Sequence, residues 1–256
     1  MTTELRTEIA LITGASAGIG KAFAEQLASR CKVMVLVGRD VGKLTTLRES
    51  LSQAGLTIYT LAVDLVTNIG VTRVMEAIRQ QGPVTILINN AGVGAHGRFA
   101  DADLDEQQAM VNLHCNATLA LCRAALPYMK TQGGGRIVNV SSVGSYLPLK
   151  NAAVYGASKA FLNAYSEALQ LEVAGDGIKI QCLCPSYTRS DFHHRAAASG
   201  FNLSVVPDTA WWTPADVVAA SLAQLDSDSD EVICVPDQAS RQILRDRLRS
   251  QAERFI

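Results

Sequence analysis

Short apolar runs rich in β-branched residues alternate along this chain with longer stretches of helical period. Ile9–Thr13, Val33–Val37, Thr57–Val63, Val84–Asn89, Arg136–Ser141, Ile178–Cys184 and Val232–Val235 read as strands. Between them lie helical stretches near 18–30, 43–53, 72–80, 105–130, 152–173 and 214–225, with a last one from about Gln238. Strands that are apolar throughout are covered on both faces. Strand–helix alternation of this kind predicts a parallel sheet with helices on both sides, and right-handed crossovers make it doubly wound. An α/β fold in one domain spanning 1–256 is therefore expected, as the length favours one core over two.

Composition narrows the function. Apolar residues make up 48% of the chain and charged residues 18%, with a formal net charge of -1. This balance lacks the basic field that nucleic acid or an anionic membrane requires. No apolar run approaches the roughly 20 residues that span a bilayer. No signal peptide is evident, so a cytoplasmic protein with six reduced cysteines is expected. None of the cysteines forms a Cys-x-x-Cys pair, and small buried core positions are the expected role for them.

The first strand ends in Thr13-Gly14-Ala15-Ser16-Ala17-Gly18-Ile19-Gly20 and leads into a helix. Such a turn lets a pyrophosphate approach the backbone, and the helix aims free N–H groups and its positive dipole end at the phosphates. The predicted fold is thereby Rossmann-like. The second strand ends in Gly38-Arg39-Asp40, where a dinucleotide fold meets the adenosine ribose. An acidic side chain there would accept from the 2′-hydroxyl of NAD, whereas Gly38 leaves room and Arg39 offers a planar cation to a 2′-phosphate. NADP(H) is expected over NAD(H), the alternative being a surface arginine or one paired with Asp40. Asp64 and Leu65 follow the third strand where adenine would be gripped, although Asp64 could equally cap a helix.

Tyr155 and Lys159 are four apart on a predicted helix and share a face. A phenol is a poor acid–base catalyst at neutral pH, and a nearby ammonium stabilises its phenolate. Ser142 ends a strand earlier in the chain, where its hydroxyl can hold a substrate oxygen.

The glycine turn at Thr13–Gly20, Asp64, Asn89-Asn90-Ala91-Gly92, Ser142, and Tyr155 with Lys159 occur in an order and spacing that resemble the short-chain dehydrogenase/reductase family. The resemblance implies that Gly14, Ser16, Gly18 and Ile19 bind the pyrophosphate side of the cofactor, with Asn90 beside the adenine ribose. It implies that Tyr155 exchanges a proton with the carbonyl oxygen and that Ser142 polarises the carbonyl. Lys159 would bind the nicotinamide ribose and depress the tyrosine pKa, and Thr188 and Ser190 would meet the carboxamide. The implied activity is interconversion of a ketone or aldehyde and an alcohol on an apolar small molecule, in a homodimer or homotetramer. The helices around 105–130 and Tyr155 are expected to expose Leu113, Leu162 and Leu169 for that pairing.

Two positions depart from the family pattern. Pro185-Ser186 stands where Pro-Gly is usual, which puts the local backbone in question. His114 stands where many members carry a catalytic asparagine, with Asn112 and Asn116 on either side. Its ring either fills the asparagine's space or joins a proton relay to Lys159. These departures motivate an alternative, an NADPH-binding sensor or scaffold with little turnover.

The stretch 186–212 breaks the periodicity and carries five aromatic residues, so a substrate lid is expected there. Val93, Ser142, Tyr146, Leu147, Tyr187, Phe192 and Trp211 are expected to line the substrate site. No metal site is expected. His193 and His194 are adjacent on a loop, and the acidic run 226–230 lacks the turn glycine of a calcium loop.

Overall fold

The computed structural model describes residues 7–192 and 202–253. Seven strands make one sheet: β1 Glu8–Thr13, β2 Cys31–Gly38, β3 Thr57–Ala62, β4 Ile86–Asn89, β5 Gly135–Val140, β6 Ile178–Leu183 and β7 Ile233–Cys234. They lie in the order β3-β2-β1-β4-β5-β6-β7, and all pairings are parallel. The chain reverses its direction of winding between β1 and β4. In such sheets ligands bind at this switch point, outside the carboxyl ends of the strands.

Among the described residues the longer helices are α1 Gly18–Leu27, α2 Val41–Ser50, α3 Asn68–Gln80, α4 Leu104–Val111, α5 Ala117–Thr131, α6 Ala153–Val173, α7 Pro214–Leu225 and α8 Gln238–Ala252. Strand side chains alternate between two cores. Ala10 and Ile12 pack with Phe23, Leu27 and Val217 on one face, while Ile9 and Leu11 pack with Ile78, Leu121 and Leu169 on the other. This double burial is why the strands read as unbroken apolar runs. The expected doubly wound sheet is the observed one.

Capping residues set the helix starts. Asp40 accepts from the Lys43 N–H at 3.0 Å, and Thr67 accepts from the Gly70 N–H at 3.0 Å. Each cap moves its helix start ahead of the apolar periodicity, to Val41 and Asn68. The expected helix near 105–130 is not one regular α-helix. Between α4 and α5 it widens into a π-turn over Asn112–Asn116 that carries Leu113, His114 and Cys115 inward. Leu113, Leu162 and Leu169 are not surface residues: they are only 8%, 2% and 6% exposed. On these helices the outward apolar side chains are Leu104, Val111, Leu119, Phe161 and Leu171. Helical period alone does not say which of two apolar flanks meets the sheet.

All six cysteines are buried free thiols. Asp226, in the acidic run, binds the Arg30 guanidinium at 2.7 Å. Of the expected lid, residues 186–192 and 202–212 are described; His193, His194 and Phe201 lie outside the described residues. The two ends of this segment are tied together. Trp212 N–H donates to the Tyr187 carbonyl at 2.9 Å, and Arg189 N–H to the Trp212 carbonyl at 2.9 Å. Trp212 also packs on the core around Phe23 and Leu222. Among the described residues no helix is long and apolar enough to cross a membrane, and no group of three metal-ligating side chains forms.

Candidate active site

Thr13, buried at the end of β1, joins the two strands of the switch point. Its hydroxyl donates to the Ile88 carbonyl at 3.2 Å and accepts from Asn90 N–H at 2.9 Å and Ala91 N–H at 3.0 Å. The Asn90 amide donates back to the Thr13 carbonyl at 2.9 Å and the Gly14 carbonyl at 3.2 Å. The glycine turn is therefore held from below. Deeper in the sheet, Asn89 donates to Asn139 at 2.9 Å, and Asn139 donates to Ser166 on α6 at 3.0 Å. This buried amide chain fixes β4, β5 and the helix carrying Tyr155 relative to one another.

A cleft of about 540 Å³ opens above this frame. At one end Gly14, Ser16, Gly18 and Ile19 form the floor, with Arg39, Asp64 and Leu65 beyond them. Asn90 lies midway, and Ser142, Tyr155 and Lys159 stand at the other end beside Val93. Thr188, Ser190 and Phe192 form the facing wall. Gly18 adopts φ 54, and a Cβ there would stand 3.0 Å from Ser190 Cβ, so the floor and wall meet over bare backbone. An elongated cleft with a glycine floor, the start of a helix and a cation at its far end fits a dinucleotide.

Asp64 serves as a local cap as well as lining the cleft, since its carboxylate accepts from Val66 N–H at 3.0 Å. Asp40 is engaged as the cap of α2. Ser186 lines the cleft without strain. The non-glycine residue at positive φ among those described is Asn151, at 63°, so this backbone has no need of glycine at 186.

At the reactive end, Ser142 Oγ accepts from Gly144 N–H at 3.0 Å, and Ser142 and Tyr155 line the cleft together. Burial pushes the Tyr155 phenol above its ordinary value, and the Ser142 contact pulls it partly back. Lys159 is buried, and its Nζ donates to the Val140 carbonyl at 2.8 Å. Burial lowers its pKa to about 8. The resemblance implied a tyrosine pKa depressed by Lys159. Here the ammonium is engaged by β5, and burial is the larger influence on the phenol.

His114 is 1% exposed and bonded through both ring nitrogens. Val93 N–H donates to Nε2 at 3.1 Å, and Nδ1 lies 2.9 Å from Ser158 Oγ. A backbone N–H can only donate, so Nε2 carries no proton and Nδ1–H donates to Ser158. Ser158 in turn donates to the Tyr155 carbonyl at 2.9 Å. Burial, with the Lys159 charge adding to it, holds the imidazole pKa well below its ordinary value. Asn112 and Asn116 bond to each other at 2.8 Å at the surface, away from the cleft.

The residues expected to line the substrate site divide into three groups. Val93, Ser142 and Phe192 line the cleft. Tyr146 and Leu147 are not among that lining: Tyr146 ends the turn capped by Ser142, Leu147 follows it, and both pack on the cluster of Val143, Leu162 and Cys184. Tyr187 and Trp211 pack on each other at 5.6 Å with their planes tilted by 51°, and Trp211 lines a neighbouring hollow with Arg189 and Asp208. Sequence reading missed Asn139, Ser158 and Gly94. Only Ser158 left a signal, as it sits one turn after Tyr155 on the same helix face.

Residues 8–199 match the short chain dehydrogenase family. This chain belongs to it. Ketoacyl reductase HetN of a Nostoc species is 36% identical over 190 residues, covering 72% of this chain and 65% of that protein. A short-chain dehydrogenase from Sphingobium yanoikuyae, in complex with NADPH, superposes with a TM-score of 0.84 at 31% identity, over 98% of this chain and 96% of that one. A bulky-bulky ketone specific alcohol dehydrogenase from Comamonas testosteroni superposes with a TM-score of 0.80 at 30% identity, over 98% and 95% of the two chains. The chain is an oxidoreductase of this family.

Proposed function

We propose that this short-chain dehydrogenase uses NADP(H) to interconvert a ketone or aldehyde and an alcohol on an apolar small molecule. The observation that carries the reading is that Ser142, Tyr155 and Lys159 line one end of a cleft whose other end holds the glycine turn and Arg39. The bound cofactor supplies a hydride to the carbonyl carbon, or takes it back in the reverse direction. Gly14, Ser16, Gly18 and Ile19 would hold its pyrophosphate side, Asn90 the ribose, and Thr188 and Ser190 the nicotinamide end. Arg39, beside Gly38, would meet a 2′-phosphate.

Ser142 and Tyr155 grip the substrate oxygen together. Tyr155 gives that oxygen its phenolic proton as the carbon gains hydride, so the products are a neutral alcohol and a phenolate. Burial keeps the phenol protonated beforehand, as a general acid requires. The Lys159 ammonium, in the same buried pocket, stabilises the phenolate until a proton returns from solvent. His114 holds Val93 and the Tyr155 helix in register without exchanging a proton. Copies pair through the outward faces of α4, α5 and α6.

Dissociation constants for NADPH and NADH test the cofactor choice. A charge-assisted contact from Arg39 contributes about 1.5–3 kcal/mol, roughly 10- to 150-fold. NADPH is expected to bind more tightly by that factor, and Arg39→Ala to remove the difference. Equal constants for the two cofactors would refute it.

A further inference from the structure

Phe192 takes up the space directly over the proton donor. Its ring centroid lies 5.8 Å from that of Tyr155, with the planes tilted by 44°. On the other side the ring rests on Gly94. A Cβ added there would stand 2.9 Å from Phe192 Cζ and 3.4 and 3.5 Å from its two Cε atoms. Only glycine lets an aromatic ring approach this closely. The ring therefore spans the cleft from the lid wall to the loop after β4, beside Tyr155.

The segment that carries this ring is anchored. Asp191, the residue before it, pairs with Lys43 of α2 at 2.9 Å. Three residues earlier, Thr188 bridges to Trp212. An exposed ion pair contributes little by itself, but with the bridge it fixes where residue 192 can lie.

We infer that Phe192, seated on Gly94, determines which carbonyls enter. The site favours a carbonyl carbon with hydrogen or methyl on one side and disfavours one with two bulky substituents. The inference rests on the reading of Tyr155 as proton donor. A substrate oxygen within hydrogen-bond reach of Tyr155 and Ser142 places its carbon roughly 3–3.5 Å from the reacting groups. One of the carbon's two substituents must then point at the Phe192 ring. A hydrogen or methyl passes beneath it, whereas a branched or aryl group meets the ring. The second substituent is free to run along the apolar side of the cleft by Val93.

The test is NADPH-driven reduction of two matched ketones, acetophenone and isobutyrophenone, by the parent and by three variants. The parent is expected to show the higher kcat/KM for acetophenone. One added methylene in an apolar pocket changes discrimination by about 10- to 200-fold. Phe192→Ala should therefore move the isobutyrophenone-to-acetophenone ratio upward by about tenfold or more. Gly94→Ala should move it the opposite way, because its methyl presses the ring toward Tyr155. Phe192→Leu should lie between parent and alanine. A ratio unchanged in both Phe192→Ala and Gly94→Ala would overturn the inference, as would a parent that prefers isobutyrophenone. If no form reduces either ketone, the proposed oxidoreductase reading fails separately. Dissociation constants of the two ketones, measured by titration calorimetry on the same proteins, then decide the role of Phe192. The same shift in ratio is expected there, and constant ratios would overturn it.

Discussion

His114 Nδ1 lies 2.9 Å from the Ser158 hydroxyl, and that hydroxyl donates to the carbonyl of Tyr155. Together with the Val93 N–H on Nε2, this makes His114 a brace between the loop after β4 and the helix of the proton donor. Both nitrogens are engaged by a neutral ring, so the pH profile of carbonyl reduction should show no limb from His114 near neutrality. The profiles of the parent, His114→Asn and His114→Ala should superimpose in shape. Loss of a near-neutral limb in both variants would instead make the ring a proton relay. His114→Ala leaves the half-buried Val93 N–H without its partner, which costs about 1 kcal/mol in thermal or denaturant unfolding. The imidazole pKa is lowered on folding from its ordinary 6.5. As pH falls below that value the unfolded chain gains a proton that the folded chain refuses, so stability drops. His114→Asn should flatten this acid loss.

Lys159 supplies the second prediction. Its charge is present below a pKa of about 8 and lost above it, while Tyr155 keeps its proton over the same range. In reduction, kcat/KM reports the free enzyme, so it should be level near neutrality and fall as pH rises through about 8. Lys159→Met should remove this limb and lower the rate by about 10²- to 10⁴-fold. A limb that persists in Lys159→Met would belong to another group.

The third prediction concerns assembly. Phe161 is 36% exposed and stacks on Tyr165 at 5.8 Å with their planes 9° apart. Val111 and Leu119 face outward on the neighbouring helices. Sedimentation should give a species heavier than the 27.3 kDa monomer, and Phe161→Asp should shift it toward the monomer. A parent that is monomeric at micromolar concentration would contradict this.

Much of this molecule was legible before its structure was known, and the exceptions share a physical cause. Alternating strands and helices foretold the parallel sheet because burial on both faces leaves a plain composition signal. Gly14, Gly18, Tyr155 and Lys159 were legible because their geometry is local, a turn or a single helix face. Leu113 and Leu169 were misplaced because an apolar helix flank does not say which neighbour covers it. The brace through His114 and Ser158 was hidden. It depends on a π-turn that no residue preference announces, and on two helices whose contact is not written in either. Tyr146 packs on the cluster of Val143, Leu162 and Cys184, and Tyr187 packs on Trp211, contacts between elements that neither stretch of sequence announces.

Tyr155 is the proposed proton donor on which carbonyl reduction depends. The most direct measurement is NADPH oxidation with a panel of aldehydes and methyl ketones by the parent and by Tyr155→Phe, alongside the NADPH dissociation constant of each. Removing one hydroxyl takes away the general acid and leaves the cleft in place. The parent should turn over, and Tyr155→Phe should lose about 10²- to 10⁴-fold in kcat while still binding NADPH. Equal turnover by the two proteins, or tight NADPH binding by a parent that reduces no carbonyl, would contradict it.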